Sequence, residues 1–317
     1  MNRKIADEKD RRIWRELCDE SPFGGFWAGP EWANALCDSY SGYEDVSRIM
    51  RIGSALVVVP LISLSKKLGR WRSVESMPLG QYGGFFSDSV LSADLIARAI
   101  SFLQKTAITS ATIHLPWWQS DFEIPEGVEA SGGYTHVLAL PGDEKTLWQN
   151  CYTTKCRNKI RGSADANIRV AAMSPESAVP KIEGIEAKWK LAKGIGEHYP
   201  KKLFERIAAL SERRCRCYIA QVDGAAIAGM IVFHDAHRAY SFITVDDGEH
   251  RALHPVNALV HAALQDAVIL GKSHFDFGQS LGIESLESFK ESFGAKRTET
   301  TTLRVYGNFY RKIKGRR

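Results

Sequence analysis

A chain of 317 residues is too long for one small core, so two domains of ordinary size are expected. An apolar fraction of 44% with 25% charged residues is that of a soluble globular protein, and no apolar run reaches the ~18 residues that would admit a membrane-spanning helix. The net charge of +5 is mild but uneven, gathered in "KCRNKIRG" (155–162) and the terminal "RKIKGRR" (311–317), which suits a phosphate-bearing partner such as a nucleotide-linked precursor, coenzyme A or RNA; the plain alternative is a solvated helix face and a frayed tail.

The opening "MNRKIADEKDRRIWREL" is charged throughout and holds no apolar signal segment, so a cytoplasmic location is the expectation. "DVSRIMRIG" and "SALVVVPLISLS" read as a hairpin, and "RWRSVESM" as a third strand. The loop "PLGQYGGFFSD" (78–88) follows. Its Gly83-Gly84 pair permits close backbone approach or a strained turn, with Gln81 and Tyr82 beside it. A helix is expected at about 91–106, then strands "SATIHLP" and "YTHVLALPG". Trp117 and Trp118 in "LPWW" suit a core or interface pair, with stacking on a base or sugar as the other reading. Pro141-Gly142-Asp143 marks the expected boundary, giving domains 1–141 and 142–317, with Asp143 capping the next helix.

Helices are expected over about 144–162, 175–193 and 201–213, with a short strand "NIRVAAM" after the first. On the first helix Lys155 and Lys159 stand at i, i+4, and so do Arg157 and Arg161. Two basic rows without acidic partners favour an anionic ligand over internal salt bridges. "CRCYIAQVD", "AAIAGMIVFHD" and "RAYSFITVD" form an antiparallel meander whose first turn is Asp223-Gly224. A helix then starts at Pro255 and stops at Gly271. Arg251 and His254 precede it and make an anion site plausible on chemical grounds; an ordinary helix start is the alternative. Meander, helix, strand and closing strand thus occur in both halves, as an internal duplication would give.

The stretch "FDFGQSLGIESLESFKESFGAK" (275–296) reads as strand, turn and helix. Leu286, Phe289 and Phe293 form one stripe, and Lys290 lies in it. Asp276 faces away from Phe275 and Phe277, and Gly278 lets the chain bend. Either Asp276 and Lys290 form a buried pair locking strand to helix, or Lys290 projects into a cleft and stabilises developing negative charge. The six cysteines lack zinc spacing and are expected to be ordinary thiols, with Cys215 and Cys217 on one strand face. No GxxxxGK[ST], HExxH, GxSxG or paired CxxC occurs.

Together, "CRNKIRGSADANIRV", the meander, "HPVNALVHAALQDAVILGKSHFDFGQS" and "FKESFGAK" resemble the FemAB-like transferases, a branch of the GNAT acyltransferase superfamily with two GNAT-like domains per chain. "PLGQYGGFFSD" resembles the Gly-rich stretch of their first domain, so the resemblance covers most of the chain from about residue 78. It implies an α/β (α+β) fold of two tandem GNAT-like domains, each a mixed, mostly antiparallel sheet flanked by helices. It implies a bacterial-type N-acyltransferase that moves an acyl or aminoacyl group from acyl-CoA or aminoacyl-tRNA to an amine of a cell-envelope or polysaccharide precursor. In those terms Lys290 stabilises the oxyanion, and Asp276 positions it or relays a proton. Arg251, His254, Asn257, Gly278, Ser280 and Phe289 are the expected donor-binding residues. Tyr82, Gly83, Gly84, Lys155, Arg157, Lys159 and Arg161 are those for acceptor or phosphate. No metal and no permanently bound cofactor is expected. The expected partners are a small-molecule or precursor acceptor and, for one donor, tRNA, but not DNA, with peripheral association at the inner face of the membrane; the oligomeric state is not legible. The chain lacks the long helical insertion that some aminoacyl-tRNA enzymes use as a tRNA arm, and "HRALHP" stands where ordinary GNAT enzymes carry Q/RxxGxG/A. The competing reading is a non-catalytic RNA- or precursor-binding module that retains the fold.

Overall fold

A computed structural model describes residues 2–5, 7–21, 24–64, 73–79, 81–106, 108–119, 123–194 and 199–308. The basic stretch 311–317 lies outside the described residues. Two compact units result: Met1–Tyr134 with Glu299–Arg317, and Thr135–Thr298.

The first unit holds β1 (Asn2–Lys4), α1 (Glu8–Glu20), α2 (Pro30–Ser39), β2 (Glu44–Asp45), β3 (Arg48–Ile52), β4 (Ala55–Val59), β5 (Ile62–Ser63), β6 (Ser73–Ser76), β7 (Phe86–Ser87), α3 (Ala93–Gln104) and β8 (Ser110–Leu115). The chain leaves this unit within β9 (Glu129–Ala139). The second unit continues with α4 (Glu144–Thr146), a π-helical turn (Leu147–Cys151), α5 (Thr154–Asp165), β10 (Arg169–Met173), α6 (Pro175–Lys193), α7 (Lys201–Ala208), β11 (Cys215–Val222), β12 (Ala225–His234), β13 (Arg238–Asp246), α8 (Pro255–Ile269), β14 (His274–Asp276) and α9 (Glu284–Glu291). β15 (Lys296–Tyr306) carries the chain back.

The expected boundary at 141–143 is therefore corrected. Pro141-Gly142 lies between β9 and the next helix, but the units part inside β9 itself. The last strand belongs by its ladder to the first unit, since Thr301 to Tyr306 pair antiparallel with Leu115 to Ser110. Periodicity reveals a strand, not its ladder partner. α1 and α2 had no counterpart in the sequence reading.

In the first unit β3 and β4 form the expected hairpin, closed between Ile52 and Ala55. β8 alternates inward Ala111, Ile113 and Leu115 with half-exposed Ser110, Thr112 and His114. α3 starts at a Ser92 cap accepting from the Leu95 amide and lays Ile96, Ala99, Ile100 and Leu103 in the same core.

In the second unit β10 to β13 form an antiparallel meander, and β14 joins β13 in parallel after the α8 crossover. β12 is buried from Ile227 to His234, so it reads as a continuous apolar run rather than an alternation. α6 packs so close to it that a Cβ on Gly229 would come 2.6 Å from Ile182 Cγ1. α8 buries Leu259, Val260, Ala263, Leu264 and Ala267. β13 and β14 pair only from Arg238↔His274 to Tyr240↔Asp276; β13 then runs on to Asp246 without its neighbour. Among the described residues no helix is long and apolar enough to cross a membrane.

Candidate functional site

The second unit brings the sequence's candidate residues into two places. The first is the start of α8. The chain leaves β13 through a turn in which the Asp247 carboxylate accepts from the Glu249 and His250 amides. It ends at His254, whose left-handed backbone (φ 58°) reverses direction before Pro255. α5 lies alongside. Thr154, Lys155, Asn158, Lys159 and Gly162 of α5, with Ala252, Leu253 and His254, line an open pocket of about 630 Å³.

That pocket merges two features that sequence kept apart, and it divides the residues of both. Arg251 points to Asp246, with hydrogen bonds of 2.9 and 3.3 Å that hold its guanidinium pKa up. His254 lines the pocket but as a neutral ring, its pKa lowered by burial and then by the Lys159 charge. On α5 the two basic rows separate. Arg157 donates to the carbonyls of Trp148, Gln149 and Tyr152 at 3.3, 3.3 and 2.5 Å, closing the π-helical turn. Arg161 lies 5.4 Å over the Trp148 ring. Lys155 and Lys159 remain to supply the pocket's positive charge, at the start of α8 where the helix dipole adds to it. Asn257 is buried beside Cys156, whose thiol burial pushes up to about 11, and it does not line the pocket.

The second place is the end of β14. α9 is eight residues long and Lys290 is its one buried residue among those described, at 4% exposure. The expected stripe is corrected in part: Leu286 is 37% exposed, Phe289 is half-buried and Phe293 is buried past the helix end. The Lys290 ammonium donates to the carbonyls of Gly278 (2.7 Å) and Gln279 (2.8 Å). An ammonium has three N–H donors, and among the described residues the third meets no protein acceptor. Burial lowers the Lys290 pKa to about 8, against the Asp276 and Glu287 charges that hold it up.

Asp276 is buried and serves the turn. Its Oδ1 accepts from Thr135 Oγ1 (2.7 Å) and from the Gly278 amide (2.8 Å). Gly278 sits at φ +75°, a conformation that glycine adopts without a steric penalty. Ser280 is fully buried, its hydroxyl 3.2 Å from His136 Nδ1. Phe289 packs edge-to-face on Phe293, 5.3 Å between centroids. Thr135 and His136 were missed in the sequence; their signal was a polar pair inside the otherwise apolar "YTHVLAL".

Tyr82, Gly83 and Gly84 lie in the first unit and are explained there by packing. Both glycine amides donate to the His114 carbonyl at 3.0 Å. A Cβ at Gly83 would sit 2.4 Å from Ser76 Cβ, and one at Gly84 2.6 Å from Gln119 Oε1. Tyr82 is buried edge-on to Trp118, which in turn meets Trp117 edge-on.

Comparisons with known proteins agree with this arrangement. The family described as acetyltransferase (GNAT) domain matches residues 152–291, which contain the pocket and Lys290. No curated protein matches the chain in sequence. Among solved structures, FemX superposes with a TM-score of 0.73 at 11% identity, covering 99% of both chains. L-PGS from Bacillus licheniformis gives 0.56 at 12%, covering 99% of this chain and 98% of its own. A tandem GNAT protein from the clavulanic acid biosynthesis pathway gives 0.50 at 15%, covering 96% and 98%. Residues 152–291 thus match a GNAT acetyltransferase domain, and the chain's α/β fold is similar to those of FemX, L-PGS and the tandem GNAT protein.

Proposed function

We propose that the protein is an N-acyltransferase that moves an acyl or aminoacyl group from an activated, phosphate-bearing donor, acyl-CoA or aminoacyl-tRNA, to an amine of a cell-envelope or polysaccharide precursor. The observation that carries it is Lys290: a buried ammonium in the region matching the GNAT domain, fixed by two carbonyls and with a third N–H that, among the described residues, meets no protein acceptor. The acceptor nitrogen attacks the carbonyl carbon of the thioester or ester. A C–N bond forms, the C–S or C–O bond breaks, and the leaving thiol or hydroxyl departs with the proton released by the amine. The Lys290 ammonium stabilises the oxyanion of the tetrahedral intermediate. Asp276 acts through the turn, holding the Gly278 amide and thereby the carbonyls that aim the lysine. Lys155 and Lys159 bind donor phosphates at the start of α8. Positioning supplies much of the remaining rate, so no strong general base is required.

Titration with coenzyme A and with aminoacyl-tRNA, each competed by pyrophosphate, tests the reading. At least one is expected to bind and to be displaced. Absence of binding by both, with the folded protein at high concentration, would overturn the donor assignment.

A further inference from the structure

The placement of Lys290 depends on a turn that does not hold itself. The β13–β14 ladder ends at Tyr240↔Asp276, so residues 278–280 lie beyond it. The following backbone is unusual, with positive φ at Gly278 (75°), Leu281 (52°) and Gly282 (76°). Left-handed backbone is uncommon at a residue that carries a side chain. The start of the turn is tied to β9. Phe277 donates its amide to the His136 carbonyl (2.8 Å), and His136 donates its own to the Gly278 carbonyl (3.4 Å). Thr135 and His136 are consecutive on the strand, so their side chains leave by opposite faces. Thr135 grips one side of the turn through Asp276, and His136 grips the other through Ser280.

We propose that His136 and Ser280 are positioning residues for Lys290, their side-chain hydrogen bond holding closed the 278–280 turn whose carbonyls carry the lysine's ammonium. The inference rests on the reading of Lys290 as the oxyanion donor. Both residues are fully buried, so the bond lies out of competition with water and breaking it strands polar atoms. The surrounding charges suit the role. Lys290 faces Asp276 from β14, Glu287 from its own helix and His136 from β9; Glu291 and Arg297 also face His136. Burial first, and then the Lys290 charge, lower the His136 pKa, so the ring is neutral and adds no second positive charge beside the lysine. The Ser280 hydroxyl can donate to Nδ1 or accept from it, so this bond forms in either tautomer of the neutral ring.

The test reads Lys290 directly and needs no substrate. Trace acetic anhydride labels free amines, and mass spectrometry of the Lys290 peptide gives its labelling rate against pH. The wild-type midpoint is expected near 8. In Ser280→Ala and in His136→Leu the turn loosens, water reaches the ammonium, and the midpoint rises by about one pH unit or more, a tenfold change in the proton equilibrium. His136→Asn, which offers an amide where Nδ1 stood, is expected to restore most of the difference. Midpoints unchanged in both Ser280→Ala and His136→Leu, with melting temperatures lowered, would make the contact an ordinary core hydrogen bond and overturn the proposal. A wild-type midpoint in the usual lysine range would do the same. Ser280→Ala removes a single hydroxyl, so it carries the test should the histidine variants fail to fold. Wild-type turnover by Lys290→Met would instead overturn the catalytic reading, and the labelling result separates the two failures.

Discussion

The second unit uses lysine in two opposite ways. At the start of α8, Lys155 is exposed and Lys159 half-buried, and both lie on the wall of an open pocket. At the end of β14, Lys290 is buried and its ammonium is tied to two carbonyls. The pocket pair keeps most of its hydration, so its charge costs little and is weakened by salt. The buried one loses hydration, which its carbonyl partners and the Asp276 charge offset only in part, as its lowered pKa records. On the proposed function, the charges displayed in the pocket recognise the donor, and the desolvated one acts where new charge forms. Three experiments press on that distinction.

The largest effect is expected at Lys290. Lys290→Met keeps the length and removes the charge, and loss of one oxyanion donor costs on the order of 10²–10³ in kcat. KM for the donor should change far less, because the contact strengthens in the transition state. The same variant exposes a pH dependence of stability. The folded-state pKa of Lys290 is about 8, below the usual 10.5. Below pH 8 the lysine is protonated in both folded and unfolded chains and the cost of burying its charge is fully present. Between about 8 and 10.5 the unfolded chain binds more protons, so stability rises with pH across that window. Denaturant melts from pH 7 to 10.5 should show that rise in the wild type and its loss in Lys290→Met. A variant that melts earlier yet turns over at the wild-type rate would reduce Lys290 to a structural residue.

Much of this contrast was legible before any coordinates. The Pro255 start and Gly271 stop bracket α8, the Asp143 cap holds, and Asp223-Gly224 does turn the meander. The inward lysine at 290 was visible as a charge inside an apolar stripe. What sequence could not show was the partner of each charge. Helical spacing puts Lys155 with Lys159 and Arg157 with Arg161, but it does not reveal the carbonyls that Arg157 closes, nor that Asp246 takes Arg251. Those partners come from a π-helical turn and a loop, which leave little periodic signal. Gly83-Gly84 resembled a ligand loop, yet its glycines are explained by the nearness of Ser76 and Gln119.

The intermediate effect belongs to the pocket pair. Lys155→Ala with Lys159→Ala should weaken donor binding on the order of 10-fold at low salt, since exposed charges contribute up to about 1 kcal/mol each. The loss should shrink as ionic strength rises and screening takes over, and kcat at saturating donor should stay near wild type. Isothermal titration at two salt concentrations measures it. A double variant that binds as tightly as the wild type at both would remove the pocket from the donor's path, and a collapse of kcat at saturation would erase the distinction between recognising and acting lysines.

The smallest functional effect is expected where the sequence placed the most charge, at Arg157 and Arg251. Arg157 holds three carbonyls at the π-helical turn, so Arg157→Ala should lower the melting temperature. A hydrogen bond to a charged group contributes about 1.5–3 kcal/mol when buried and less at this half-exposed position. Donor affinity should change less than about twofold, because the guanidinium is already engaged. Arg251→Ala removes the pairing of an exposed guanidinium with the mostly buried Asp246 and should leave stability within about 1 kcal/mol. It also frees a carboxylate near the pocket, so any change in donor binding should be a slight weakening by repulsion rather than the loss of a contact. Measuring both variants by thermal melting and by the same titration separates the two roles. If Arg251→Ala weakened the donor as much as the double lysine variant, the guanidinium would have to exchange Asp246 for a donor phosphate on binding, and the pocket would have three working cations instead of two.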